Sequence, residues 1–366
     1  MPSIVVDCGS YSTKIGFSPN PTPLAVLPSL AAGEPGNFFP GKSGRDREDC
    51  RSFVSSGRVT DWNDFELFMH CATNSILKCD TRDFSLVLTE PPQVPFNYRA
   101  KLAETAFESF QVPSLFVGVQ PVLALYSLNP QQTPTGVLVD LGEAAAHAVP
   151  VVDGYVVAGG VRKVAAAGQA VTRAVVDALV ARQELRKLTA SNMEIFELAR
   201  QIKERHCFVS DNPRLEFKRN WDGSQAFFRN FQVTDTHSVD IGYERFIAPE
   251  LLFEPALSGL PGVSLPQAVI QAVAASPVDY RKRLLASVAL AGGTAALPGL
   301  SKRLQAELRG KPHRAVVSNV RVSKPYSTWV GAAILAENLE FSSWLITRQK
   351  YAEEGNRLFE LPAQLA

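Results

Sequence analysis

The chain has few cysteines, few histidines and no surplus of charge of either sign. Its five cysteines, Cys8, Cys50, Cys71, Cys79 and Cys207, are scattered, with no Cys-x-x-Cys pair and no metal-ligand spacing. That set excludes a disulfide-stapled scaffold or a zinc module and suits free thiols in a reducing compartment. The expected location is the cytoplasm, with the nucleus as the alternative. No hydrophobic run reaches the roughly 18–20 residues needed to span a bilayer. An apolar run starts at about residue 3, which leaves no space for a signal or transit peptide ahead of it. Lys and Arg number 37 against 36 Asp and Glu, a net charge of +1. No overall field therefore favours nucleic acid or an anionic membrane, and neither is expected as a partner. The short basic clusters Arg281-Lys282-Arg283 and Lys218-Arg219 read as solvated faces. What remains is an ordinary globular composition, and 366 residues suggest two lobes at about 100–200 residues per domain.

Two stretches, 133 residues apart, are nearly alike: Ile4-Val5-Val6-Asp7-Cys8-Gly9 and Val137-Leu138-Val139-Asp140-Leu141-Gly142. Each is a β-branched apolar run, then Asp-x-Gly, then four residues, then Lys14 or His147 leading into a second apolar segment. The pattern predicts two β-hairpins. Two like hairpins suggest two like half-molecules that present a tight turn and a carboxylate each to a shared cleft. Converging backbone N–H groups make a concave anion site, and phosphate is its commonest guest. An Asp beside phosphates is repelled unless a divalent cation lies between them. The matched pair therefore predicts a Mg-nucleotide held between the lobes.

Strand and helix patterns alternate along the rest of the chain. Helical spacing appears over 64–77, 97–110, 121–127, 169–183, 190–207, 265–274, 280–285 and 300–308. Apolar strands are expected at 85–88, 114–119, within 150–168 and at 287–290, and 208–247 reads as a β-containing surface lobe. Residues 3–28 read as strand, turn, strand and a Pro-rich exit, and 29–52 as a Gly-rich loop or lobe tip. The class is α/β. A third Gly-rich turn, Ala291-Gly292-Gly293-Thr294, follows a strand and precedes a helix. Paired glycines there let backbone approach a ligand that a Cβ would exclude.

The order of these motifs resembles the actin family, essentially end to end. The pieces are Asp7-Cys8-Gly9-Ser10 with Lys14, Leu88-Thr89-Glu90-Pro91-Pro92, Phe107 to Pro113, and Val119-Gln120-Pro121 through Tyr126. They continue with Asp140-x-Gly142, His147 and Pro150, then Ile202-Lys203-Glu204, Glu244-Arg245-Phe246, Gly292-Gly293-Thr294 with Pro298-Gly299, and Tyr326-Ser327-x-Trp329-Val330-Gly331. The differences make it resemble an actin-related protein and not a conventional actin. The resemblance implies an actin-like two-lobed fold, duplicated ribonuclease H-like domains with a nucleotide cleft between them. The first lobe would comprise 1–128 plus 325–366, with a reduced small subdomain at about 29–55. The second would comprise 129–324, with a small subdomain at about 169–250.

The resemblance also implies a site. ATP or ADP would bind with Mg²⁺ (or Ca²⁺), the metal held through water by Asp7 and Asp140. Gly9, Ser10, Tyr11 and Lys14 would hold phosphate from one side and Gly142, Glu143 and Ala144 from the other. Gln120 and His147 would position the attacking water. Lys203 and Glu204 would meet adenine and ribose, and Gly168, Gly292, Gly293, Thr294 and Leu297 would wall the pocket. Phosphoryl transfer needs positioning and charge stabilisation above all. A glutamine is no strong base, so turnover would be slow at most.

Departures from the family pattern shape the expectation. Tyr11 replaces a glycine of the first phosphate turn, and Glu143-Ala144 replaces Asp-Gly in the second, so the γ-phosphate site is expected to be narrower and hydrolysis impaired. Leu297 replaces a ring at the adenine edge, and Pro325 stands where a basic residue is expected, with Lys324 one place earlier. The interval from Ser29 to Trp62 is about a dozen residues shorter than in actin and holds Phe38-Phe39-Pro40; Ser56 stands in place of a histidine. Filaments need a repeating heterologous contact, so self-polymerisation is disfavoured. The expected function is a nucleotide-binding actin-related subunit of a larger cytoskeletal or motor-associated assembly, partnered by actin or other actin-related proteins. The alternatives are a slow ATPase that polymerises or nucleates filaments, and a subunit of a nuclear chromatin-remodelling complex. A sugar kinase or chaperone ATPase of the wider superfamily is disfavoured, since no acidic base stands near Gln120 and no further substrate domain is evident.

Overall fold

The computed structural model describes residues 2–31, 50–185, 192–221, 228–235, 237–310 and 320–359. Phe38-Phe39-Pro40 and most of the Gly-rich stretch after Ser29 lie outside the described residues. Twelve strands matter for the site: β1 (Ser3–Cys8), β2 (Ser12–Phe17), β3 (Ala25–Pro28), β4 (Ser85–Glu90), β5 (Ser114–Val119) and β6 (Gly136–Leu141). The others are β7 (Ala146–Val152), β8 (Tyr155–Val156), β9 (Arg162–Lys163), β10 (Val288–Ala291), β11 (Arg321–Val322) and β12 (Ile346–Thr347).

The strands form two mixed sheets, ordered β12-β5-β4-β1-β2-β3 and β8-β7-β6-β10-β11, with β9 also on β7. In the first sheet β1 pairs antiparallel with β2 and parallel with β4. In the second, β6 pairs antiparallel with β7 and parallel with β10. The two sheets thus repeat one pattern, a hairpin followed by parallel neighbours. This is the two-lobed actin-like fold expected from the sequence.

Strand residues alternate between faces, so each sheet can feed two cores. Ile4, Val6, Leu86 and Leu88 enter an outer core with Phe65, Phe68, Leu102 and Phe107. Val137, Val139 and Leu290 enter a second outer core with Val175, Ile202 and Leu304. The intervening residues Val5, Val87, Leu138 and Ala289 share a central core with Leu123 and Trp329. That central core joins the sheets.

The helices used below are α1 (Trp62–Cys71), α2 (Phe96–Glu104), α3 (Gln120–Leu128), α4 (Gly168–Ala181), α5 (Asn192–His206), α6 (Glu244–Glu250), α7 (Leu300–Arg309) and α8 (Ser327–Ala336). Asp61 caps α1, its side chain accepting from the Asp64 N–H at 3.0 Å. Pro121 suits the first turn of α3, where no intrahelical N–H bond is lost. α8 is apolar on nearly all sides, as a helix enclosed by protein must be; Trp329, Ala332 and Leu335 on it are buried. The Trp329 indole N–H donates to the Val5 carbonyl at 2.9 Å, tying this late helix to the first strand. Truncating such a buried ring costs about 3–5 kcal/mol.

Candidate functional site

The first hairpin turn is closed by the Gly9 N–H donating to the Ser12 carbonyl at 3.2 Å, and the second by the Gly142 N–H donating to the Ala145 carbonyl at 3.1 Å. A Cβ on Gly9 would stand 3.0 Å from the Ser12 oxygen, and one on Gly142 would stand 2.8 Å from the Ala145 oxygen. Both glycines therefore answer to the same tight turn. Just before each turn an acid faces a basic side chain across the hairpin. Asp7 registers with Lys14, and Asp140 with His147. The duplication read from sequence extends to cross-strand partners.

The two turns open onto one cleft of about 700 Å³, within the usual range for small-molecule sites. Of the sequence-derived candidates, Asp7, Gly9, Ser10, Tyr11, Lys14, Gln120, Asp140, Gly142, Glu143, His147, Lys203, Glu204, Gly292, Gly293, Thr294 and Leu297 all line it. Two candidates do not. Gly168 lies behind the wall, where a Cβ would come within 2.6 Å of both Glu143 Oε2 and Thr294 Oγ1. Ala144 faces a different hollow, shared with Lys163, Arg173 and Phe196. Successive residues of a four-residue turn diverge, and here Glu143 points into the cleft while Ala144 points away.

Asp7 is buried and well supported. It accepts from Thr89 Oγ1 at 2.7 Å and from Gln120 Nε2 at 3.2 Å, and Lys14 Nζ lies 3.4 Å from its other oxygen. Gln120 Nε2 also donates to the Cys8 carbonyl at 3.2 Å, so its amide orientation is fixed. Asp140 differs. Among the described residues no hydrogen bond or ion pair reaches its carboxylate, and burial, reinforced by the nearby Asp7 charge, lifts its pKa to about 6. Two acids thus converge on the floor of the cleft with one lysine to offset them. Excess negative charge at that point fits a hydrated divalent cation, which Asp7 and Asp140 would hold through few direct protein ligands. His147 has its pKa lowered, by burial first and then by Lys163 and Arg58. It is therefore neutral at pH 7 and can hold or orient a water. Burial, with Asp7 beside it, pushes the Cys8 thiol up to about 12, so this cysteine is no nucleophile.

The far wall is organised around Lys203 on α5. Its ammonium donates to Glu143 Oε2 and to the Gly168 carbonyl, each at 3.1 Å. The glutamate that replaces the family's aspartate is thus already paired. Gly292 has φ +88°, and a Cβ there would stand 2.4 Å from the Leu141 carbonyl oxygen, so only glycine suits the contact. A Cβ on Gly293 would meet nothing within 4 Å; it would project into open space at the cleft.

Several lining residues carried no role in the sequence reading. Ser56 and Gly57 reach the cleft with Pro91 and Pro92, and the Gly57 N–H donates to Ser10 Oγ at 2.9 Å. The Ser-Gly pair ahead of an apolar segment was a turn signal pointing there. Thr89, next to the last residue of β4, does not line the cleft but donates to Asp7 from beneath it, and it was quoted only as part of a motif. Val322, Ser323 and Thr328 also line the cleft, and no local pattern marked them.

The whole chain has known counterparts. A family model described as Actin matches residues 1–362. Two curated relatives, both named Actin-related protein 3 and found in Oryza sativa subsp. indica and subsp. japonica, are each 29% identical over 415 aligned positions, covering 97% of this chain and 95% of the relative. This chain therefore belongs to the actin family, within which it is a divergent actin-related protein.

Proposed function

We propose that the cleft binds ATP or ADP with Mg²⁺ or Ca²⁺, and that the protein is a subunit of a multi-subunit cytoskeletal assembly. The observation that carries this reading is the convergence of Asp7 and Asp140, from twin hairpins, on one cleft of about 700 Å³. Residues 1–128 with 325–366 would form one lobe and 129–324 the other, each contributing one hairpin turn. Asp7 and Asp140 would hold a divalent cation there through its water shell, and the cation would supply positive charge to offset that of the phosphate oxygens. Lys14, with Ser10 and Tyr11 of the first turn, holds phosphate on one side, and Lys203, Glu204 and Leu297 accommodate the nucleoside on the other. Bound ligand favours the closed arrangement by mass action, so nucleotide acts as a clamp that fixes the surface shown to partners.

Retention, and not rapid turnover, is the function we assign to the site. The Gln120 amide nitrogen is spread over Asp7, Cys8 and Thr89. Its remaining oxygen can orient a water but cannot take its proton at a useful rate. The similarity to proteins named Actin-related protein 3 supports a cytoskeletal role in the cytoplasm, with actin or other actin-related proteins as partners.

The test is calorimetric titration with Mg-ATP and Mg-ADP. Saturable binding by the wild type, weakened at least about tenfold in Asp7→Ala, is expected, the loss of one charge-assisted contact being about 1.5–3 kcal/mol. Absence of binding in the wild type, with metal present, overturns the reading.

A further inference from the structure

Tyr11 stands in the first phosphate-type turn, where a bare backbone would be enough to cradle an anion. Its ring lines the cleft. The guanidinium carbon of Arg200 lies 4.5 Å from the centre of that ring. Arg200 itself does not line the cleft, so the ring forms the wall and the guanidinium braces it from behind.

The two residues come from different bodies of the fold. The strands flanking Tyr11 pack into the outer core of the first sheet, through Val6, Cys8 and Ile15. The helix α5 that carries Arg200 packs into the core of the second sheet, through Leu198, Ala199 and Ile202. Arg200 is held in place on that helix. It is paired with Glu197 one turn before it and donates to Glu204 Oε1 at 2.5 Å one turn after. A cation fixed by two carboxylates and set over an aromatic face is a preorganised contact. Glu204 and Lys203, adjacent on α5, line the cleft.

We propose that Tyr11 and Arg200 form a clasp between the two halves of the molecule that slows escape of the ligand held in the cleft. The proposal rests on the nucleotide reading above and adds a named determinant of how long the nucleotide stays. Away from the cleft, α3 and α8 pack together in the central core that joins the two sheets. The clasp closes the cleft between the first turn and α5. Opening the lobes separates the ring from the guanidinium, and this cost is added to the barrier for release. Because Arg200 also binds Glu204, a ligand hydroxyl engaging Glu204 is coupled to the clasp through one side chain.

The experiment measures release of a fluorescent ATP analogue, chased with excess ATP in the presence of Mg²⁺. Tyr11→Gly and Arg200→Ala are each expected to release it about three- to thirtyfold faster than the wild type, the range that cation–π contacts span between exposed and desolvated settings. Tyr11→Phe keeps the ring and restores slow release relative to Tyr11→Gly. Glu197→Gln loosens the brace and gives an intermediate rate. The double variant should be no faster than the faster single one, because each change breaks the same contact. Melting temperatures of the variants identify any that fail to fold. Single variants within about twofold of the wild-type rate overturn the clasp while the nucleotide reading stands. If the wild type takes up no nucleotide, the nucleotide reading fails on its own, and amide hydrogen exchange of the ligand-free protein judges the contact. Faster exchange in the Gly9–Ser12 turn and in α5 of Tyr11→Gly then upholds a tie between the lobes, and unchanged exchange overturns it.

Discussion

Gly331 of α8 meets Leu123 of α3 so closely that a Cβ built on the glycine would stand 1.9 Å from the leucine carbonyl oxygen. Only a residue without a side chain permits that crossing. The same helix pair fills the central core between the sheets, and α3 begins at Gln120, on the cleft floor. Gly331→Ala must push the helices apart, at an expected cost of about 3 kcal/mol in urea unfolding. Gly293→Ala is the contrast. Its added methyl meets nothing within 4 Å, so stability should change by less than about 0.5 kcal/mol. Mg-ATP affinity should fall, because the methyl takes up cleft space. Equal stability losses in the two variants would contradict this account of the helix crossing.

Asp140 is the more isolated of the two acids. Its carboxylate lacks a hydrogen-bond donor among the described residues and lies within the field of Asp7. Replacing it by Asn removes the cost of burying the charge, which is the larger part, and with it the repulsion from Asp7. Asp140→Asn should therefore raise the melting temperature without ligand, by a free energy of about 1–3 kcal/mol. The same change should lower the further gain produced by Mg-ATP, since one metal anchor is lost. A variant that is less stable without ligand would show that Asp140 is compensated in a way the geometry does not reveal.

Much of the site was legible because its elements are duplicated. An apolar run followed by Asp-x-Gly occurs twice and predicts twin hairpins, and the third turn at Gly292-Gly293 closes the same cleft. What local pattern could not show is direction within a turn. Glu143 and Ala144 are adjacent, yet one points into the cleft at Lys203 and the other out toward Lys163 and Arg173. Tyr11 was legible as a bulky residue in the first hairpin turn. Its destination was not, because Arg200 is distant in sequence and its position depends on how α5 packs. The segment around Pro28 reads as a Pro-rich exit, but it forms β3, with Pro28 opposite Ser12. Proline is admissible there because β3 is an edge strand.

Glu250 gives the fold a pH dependence of defined sign. It is buried at the end of α6, and burial lifts its pKa to about 7. Arg303 of α7, 3.2 Å away, opposes the shift, and Glu254 and Glu307 add to it. The folded chain then keeps a proton that the unfolded chain releases near the ordinary value of 4.5. Stability from this group is accordingly full below about pH 4.5 and falls as pH rises to about 7, by about 2–3 kcal/mol in all. Glu250→Gln keeps an acceptor for Arg303 and cannot ionise. The difference in melting temperature between variant and wild type should therefore widen from pH 5 to pH 8 in favour of the variant. A constant difference would show that Glu250 ionises as freely in the folded chain as in the unfolded one.

Assembly into filaments is the remaining behaviour to decide. The resemblance read from the sequence implies an interval between Ser29 and Trp62 shorter than actin's, and a helical filament needs both halves of a contact that repeats without closing. At micromolar concentration with Mg-ATP, in salt that polymerises actin, the protein is expected to stay in the supernatant of a high-speed spin. On the proposed reading of the cleft, the same sample should show nucleotide uptake without sedimentation. A pellet that resolves into helical filaments by electron microscopy would mean that the shortened segment is not the limiting contact. In that case the nucleotide would govern polymer turnover instead of fixing a surface for partner subunits.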